Sequence, residues 1–99
     1  MADLTGRQRR HLRALGHHLQ PVVQVGREGV SDAVVGEADR QLEAHELIKV
    51  KIAESSPHDR HEAAGMLAAR TGAQVAQVLG RTALLYRRRK KDPAIALPE

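Results

Sequence analysis

The hydrophobic pattern switches between two periods along the chain. Leu12, Leu15, Gly16 and Leu19 recur at three- and four-residue spacing, the stripe of an amphipathic helix. Thr5 with Gln8 after it has the spacing of a capping box. Pro21 ends the segment, because the residue before a proline avoids the α region. Val22, Val23 and Val25 then form a short apolar run that predicts a buried strand. From about Asp32 to Ala44 the helical period returns, with Val34, Val35, Ala38 and Leu42 on one face and Glu37, Asp39, Arg40 and Glu43 on the other. Leu47 to Ala53 changes to a period of two, Ile48, Val50 and Ile52 alternating with Lys49 and Lys51. Ser56 as cap, Pro57 in the first position and Asp59 as a capping-box acceptor predict a third helix. Ala64, Leu67, Ala68 and Thr71 run along one side of it, and Gly72 is its stop. Ala73–Leu79 and Thr82–Arg87 read as strands, joined through Gly80-Arg81 as a two-residue hairpin turn.

The predicted order is α-β-α-β-α-β-β in one domain over residues 1–88. It fits an α/β fold: a four-stranded mixed sheet with helices mainly on one face. The first two strands would be parallel through a crossover helix and the last two an antiparallel hairpin. The lysine side of the second strand would then face solvent or a ligand. Residues 89–99, basic and then proline-containing, read as a frayed tail.

Between the first strand and the second helix lies Pro21-Val22-Val23-Gln24-Val25-Gly26-Arg27-Glu28-Gly29-Val30-Ser31. Its Gly-x-x-Gly loop permits positive φ and close approach of another backbone. Ser31 as N-cap, with Asp32 in the first turn, starts a helix whose free N–H groups and dipole suit a phosphate. The same residues also read as a plain strand-to-helix turn that binds nothing.

Composition narrows the chemistry. The 99 residues contain no Cys, Phe or Trp and one Tyr. The core must therefore be aliphatic, with no disulfide and no thiolate chemistry. No apolar run is long enough to cross a bilayer and no signal-peptide order opens the sequence, so a cytoplasmic protein is expected. The net charge of +4 is unevenly spread. Residues 1–30 carry five Arg against Asp3 and Glu28; residues 31–62 carry four basic and eight acidic groups; residues 63–99 carry seven basic groups against Asp92 and Glu99. A basic side and an acidic side follow if the two ends meet, which points to a polyanionic partner.

Other chemistries find little support. His58 and His61 share a helical spacing, but the second His of the zinc-protease pattern is missing after Glu62. Neither a metal site nor any other cofactor is expected. Ser31, Ser55 and Ser56 read as caps, not nucleophiles, and the Gly-rich loop lacks the Lys-Ser/Thr end of a nucleotide-hydrolysing loop. No catalytic residue is assigned. Base stacking on exposed rings is also limited, with Tyr86 alone available, so recognition of nucleic acid would rest on backbone charge and shape.

The run Leu4-Thr5-Gly6-Arg7-Gln8-Arg9-Arg10-His11-Leu12-Arg13-Ala14-Leu15-Gly16-His17-His18-Leu19, followed by Pro21 to Val30, resembles the YhbY family. So do Leu47-Ile48-Lys49-Val50-Lys51 and Gly80-Arg81 with Leu85-Tyr86-Arg87. These are stand-alone bacterial versions of the CRM (chloroplast RNA splicing and ribosome maturation) domain. The resemblance spans about Leu4 to Arg87. It implies a fold similar to the C-terminal domain of translation initiation factor three, RNA binding, and association with precursors of the large ribosomal subunit. It implies no active site. The family's loop usually has Lys after the first glycine; Arg27 keeps that charge, whereas Glu28 is a departure that should weaken phosphate contact.

The expected function is therefore a monomeric, non-enzymatic RNA-binding protein acting on rRNA in large-subunit precursors. Its expected site comprises Gly26, Arg27, Glu28 and Gly29 of the loop, with Arg7, Arg10, Arg13, Lys49, Lys51, Arg81 and Arg87. The rival expectation is a protein-interaction adaptor that uses the acidic helix from Asp32 to Ala44.

Overall fold

Alternation in one strand sets the architecture. In the computed structural model, which describes residues 3–99, β2 (Leu47–Ile52) buries Ile48, Val50 and Ile52 on one side and turns Leu47, Lys49 and Lys51 to the other. The helices are α1 (Gly6–Gly16), α2 (Asp32–His45) and α3 (Arg60–Thr71), and the remaining strands β1 (Pro21–Val25), β3 (Gln74–Leu79) and β4 (Thr82–Tyr86). Their order is the predicted one. The sheet runs β1-β2-β4-β3, with β1 parallel to β2 and the other pairs antiparallel. β4 is thus inserted between the hairpin partner β3 and the parallel pair.

The sheet is sandwiched unequally. On one face α2 and α3 supply Ala38, Leu42, Ala63, Ala64, Leu67 and Ala68 to a core with Val23, Val25, Ile48, Val50, Ile52, Ala83 and Leu85. The alanines of α3 let it lie close on the strands. On the other face α1 brings Leu12 onto Leu47, Ala76, Leu84 and Tyr86, with Leu4 joining from just before the helix. Gly16 explains how closely α1 sits: a Cβ there would run into both methyl groups of buried Leu84. Leu15, expected in the buried stripe, is instead 43% exposed. It borders a hollow with Leu19, Val22 and Leu47, while Leu12 and Gly16 are buried against the sheet.

Local signals place most helix ends. Thr5 and Gln8 form the reciprocal capping box of α1, and Ser31 Oγ accepts from the Val34 amide at the start of α2. Gly72, with positive φ, stops α3. The start of α3 needs correction. Its cap is Asp59, which accepts from the His61 and Glu62 amides while Glu62 reaches back to Asp59 N. The full capping box outcompetes Ser56, whose hydroxyl instead closes a local turn with His58.

The tail beyond β4 makes contacts that its sequence does not announce. Residues 89–99 have no regular secondary structure, yet Ile95 and Leu97 pack on the α1-side core and Gln8 Nε2 donates to Pro98 O. The anchor is Glu46, which is fully buried. Its carboxylate accepts from the amides of Arg89 at 3.0 Å, Ala94 at 2.6 Å and Ile95 at 2.9 Å. Burial pushes its pKa up, but these three amides and the charge of Arg89 outweigh that and hold it below the ordinary glutamate value. Glu46 also sits at φ 64°, a region that disfavours side chains. The three amide bonds offset that strain. Tyr86 packs beside it; burial first, and the Glu46 charge second, raise the phenol pKa.

Two predictions follow from this packing. Because the folded-state pKa of Glu46 is depressed, its contribution is complete above the ordinary glutamate value and is lost as pH falls through the folded value. Glu46→Gln should lower stability by about 1–3 kcal/mol at neutral pH, flatten the acid limb of the stability profile, and abolish slow exchange of the Ala94 and Ile95 amides. Unchanged protection of those amides would contradict the anchor. Gly16→Ala should cost about 1–3 kcal/mol by forcing Leu84 from its site, read as a lower midpoint in urea; an unshifted midpoint would show that α1 has room to spare.

Candidate nucleic-acid interface

Three loops meet at the end of the sheet where β1 and β2 finish. Ala53 N donates to Val25 O and Ile52 N to Arg81 O, both at 2.8 Å. Arg60 Nη1 donates to Gly80 O, and Arg70 Nη1 to Val30 O. The Gly-x-x-Gly loop is therefore held from below while its tip stays in solvent. Gly29 N donates to Gly26 O at 2.9 Å, which closes a turn with Arg27 and Glu28 exposed at its tip. Gly29 has φ +70°, and a Cβ on it would stand 2.7 Å from His58 Nε2. Positive φ and the His58 ring together require glycine there. Gly26 is different: a Cβ would meet nothing within 4 Å. No packing of the chain accounts for a glycine at 26, and the space above it is open to another backbone.

The start of α2 contributes less than the sequence suggests. Asp32 lies in the first turn and pairs with Arg70 Nη2. Its carboxylate already meets the positive helix end, where a second anion would be repelled.

On the α1 side of the sheet two cations from distant parts of the chain converge. Arg13, Gly16 and His17 of α1 border Lys49 of β2, with Gln77, Thr82 and Leu84 completing a cleft of about 320 Å³. Lys49 is half-buried, so its stem lines the cleft. Lys51 lies two positions on, on the same face, and is exposed. In register it stands between Gln24 of β1 and Thr82 of β4. The run from Lys49 through Lys51 leads along β2 toward the end of the sheet that carries Arg27. Arg7 and Arg10 are exposed on α1 toward its opposite end, where Gln8 meets the tail.

Two candidates are drawn elsewhere. The Arg87 side chain is only 16% exposed and binds Asp39 at 2.6 Å and Glu43 at 3.6 Å, while also donating to the Thr71 and Asp39 carbonyls. It ties β4 to α2 on the acidic side and has little capacity left for phosphate. Arg81, at the hairpin tip, pairs with Glu54 at 2.9 Å but remains exposed. Arg89, in the basic run, donates to Ala44 O at the end of α2 and to Asp92 O. The density of arginines in 87–89 signals charge, but sequence alone does not reveal which carbonyls and carboxylates consume it. His17 as a neighbour of the cleft and His58 as a neighbour of the loop emerge only from the structure.

The charge separation is spatial. Basic α1 and the lysines of β2 occupy one side of the sheet, and α2 with Glu37, Asp39 and Glu43 the other. The acids of α2 are largely engaged within the molecule. Glu37 accepts first from Gln41 and then from Arg40, which lowers its pKa, and Asp39 and Glu43 hold Arg87. Tyr86 is 4% exposed and packed in the core, so it offers no stacking surface. No helix among the described residues is long and apolar enough to cross a membrane.

Comparison with known proteins points to one family. Residues 4–87 match the model of the CRS1 / YhbY (CRM) domain. A Bacillus subtilis (strain 168) protein named "Probable RNA-binding protein YqeI" is 40% identical over 95 residues, covering 96% of this chain and 99% of that protein. A Haemophilus influenzae protein named "RNA-binding protein" is 35% identical over 98 residues, covering 99% and 98%. The solution structure of a hypothetical protein from Staphylococcus aureus superposes with a TM-score of 0.82 at 37% identity, over 96% of this chain and 99% of that one. A match through nearly the whole of the folded region, on sequence and on topology alike, places the chain in the CRS1/YhbY (CRM) domain family.

Proposed function

We propose that this protein binds RNA by its backbone phosphates, through Arg27 at the loop tip and the Arg13, Lys49 and Lys51 face, with Arg10 extending the contact along α1. The observation that carries the reading is the convergence of Arg13 from α1 and Lys49 from β2 on one cleft. Cations that border one cleft attract a polyanion. The open space above Gly26 supports close approach of a ribose-phosphate chain to the loop. The names of the relatives, RNA-binding proteins, favour the same class of partner. Arg81 extends the set at the hairpin, whereas Arg87 is left out because its guanidinium is occupied.

The target we propose is folded rRNA in precursors of the large ribosomal subunit, on the strength of the family resemblance, with the protein acting as a cytoplasmic monomer and not as an enzyme. Cations on a rigid sheet and helix suit a structured RNA, whose phosphates are already fixed in space.

With roughly five phosphates engaged, affinity for duplex-like RNA should fall on the order of 10²–10³-fold between about 50 and 200 mM salt. A flat response would contradict the mechanism. Arg27→Ala should weaken binding to unrelated RNAs alike, since phosphates carry no sequence information; loss confined to one RNA would point to base readout at the loop. Glu28→Lys should strengthen binding and steepen the salt dependence by about one phosphate equivalent; an unchanged slope would place the loop outside the interface. Sedimentation of cell extract tests the target. The protein should travel with large-subunit precursors, and its absence from every ribosomal particle would refute that assignment while leaving RNA binding to stand or fall on the salt data.

A further inference from the structure

Beside the cationic cleft lies a second hollow of different character. It has a volume of about 420 Å³ and apolar walls: Leu15 from the end of α1, Leu19 from the link to β1, Val22 of β1, Leu47 of β2 and Ile95 of the docked tail. Polar groups stand only at its margin, among them Gln20, His45 and Lys49. Leu15 is 43% and Val22 41% exposed, two of the four large hydrophobic side chains left in solvent among the described residues. Such a patch beside a charged face is usually functional. Lys49 borders both the hollow and the cleft with Arg13, so a phosphate held there would bring its own base to the mouth of the hollow.

We infer that this hollow receives one unstacked nucleobase of the bound RNA. The inference rests on the phosphate reading above and adds a base site to it. A base has two apolar faces and a polar edge. The leucine, valine and isoleucine side chains would cover the faces, while Gln20 and His45 would meet the edge. The chain exposes no Phe, Tyr or Trp for stacking, so a base would leave water against aliphatic walls such as these. Charge complementarity selects this occupant: Lys49 at the rim attracts a ligand that carries a phosphate beside its apolar part, which a neutral apolar peptide lacks.

The test uses the full chain with adenosine 5′-monophosphate and, as a base-free control, ribose 5-phosphate. In methyl NMR the nucleotide should shift Leu15, Leu19, Val22 and Ile95, and the sugar phosphate should leave them in place. Leu15→Gln, at an exposed position that tolerates a polar side chain, should weaken binding of a single-stranded oligoadenylate about fivefold. Its salt slope should stay unchanged, because every cation remains. Val22→Thr should weaken it in the same direction, as a second variant that keeps the strand. Equal methyl shifts from both ligands, or wild-type affinity in both variants, would overturn the base site while a steep salt response kept the phosphate reading. Concentration-dependent self-association removed by Leu15→Gln, with no effect of the base, would assign the hollow to a second copy of the chain instead. A flat salt response of the unaltered protein would refute the phosphate reading and this site together.

Discussion

Pleat geometry in β2 is the constraint on which the molecule depends. Successive side chains of a strand point to opposite faces. Once Ile48, Val50 and Ile52 are committed to the core beneath α2 and α3, Lys49 and Lys51 have one place to go. A slip of one residue in the pairing with β1 and β4 would bury both lysines and expose the isoleucines, at a cost no small domain could bear. The position of the cationic row is thus fixed by the same hydrophobic burial that stabilises the fold. The two lysines are held in place by the core and need no separate scaffold.

The other side of the sheet shows how a small chain with no large aromatic core residue besides Tyr86 completes itself. α1 covers only part of that face, anchored by Leu12 and by the close approach of Gly16 to Leu84. The remainder is closed by the tail, which has too few apolar residues to dock on burial alone. Glu46 supplies the missing specificity. A buried carboxylate with three amide donors is satisfied, and those bonds fix the tail in one position. The backbone strain at its positive φ is tolerated for that reason. The docked tail in turn forms one wall of the apolar hollow through Ile95.

Much of this was legible in the sequence. Element order, the parallel and antiparallel pairings, the Thr5 and Ser31 caps and the two-faced character of β2 all follow from local period and local hydrogen-bond chemistry. What was not legible depends on long-range partners. In sequence Ser56 reads as the cap and Asp59 as its capping-box acceptor, whereas the reciprocal bond with Glu62 makes Asp59 the cap. Residues 89–99 looked unstructured because their anchor, Glu46, lies in the middle of the chain and reads there as one more acid on a helix end. For the site, the exposed loop tip and the α1 and β2 cations could be picked out as charges on predicted faces, but the meeting of Arg13 with Lys49 needed the tertiary fold. Arg87 shows the same limit: a run of arginines states the charge and conceals the carboxylates of Asp39 and Glu43 that pair with it.

The central claim is that the basic side of the sheet, and not the acidic side, meets RNA. Backbone amide shift mapping with a structured rRNA fragment tests it most directly. The account predicts perturbations at Arg13, Lys49, Lys51 and the Arg27 loop tip, with α2 silent from Glu37 to Glu43. Perturbations concentrated on α2 with a silent β2 would contradict it.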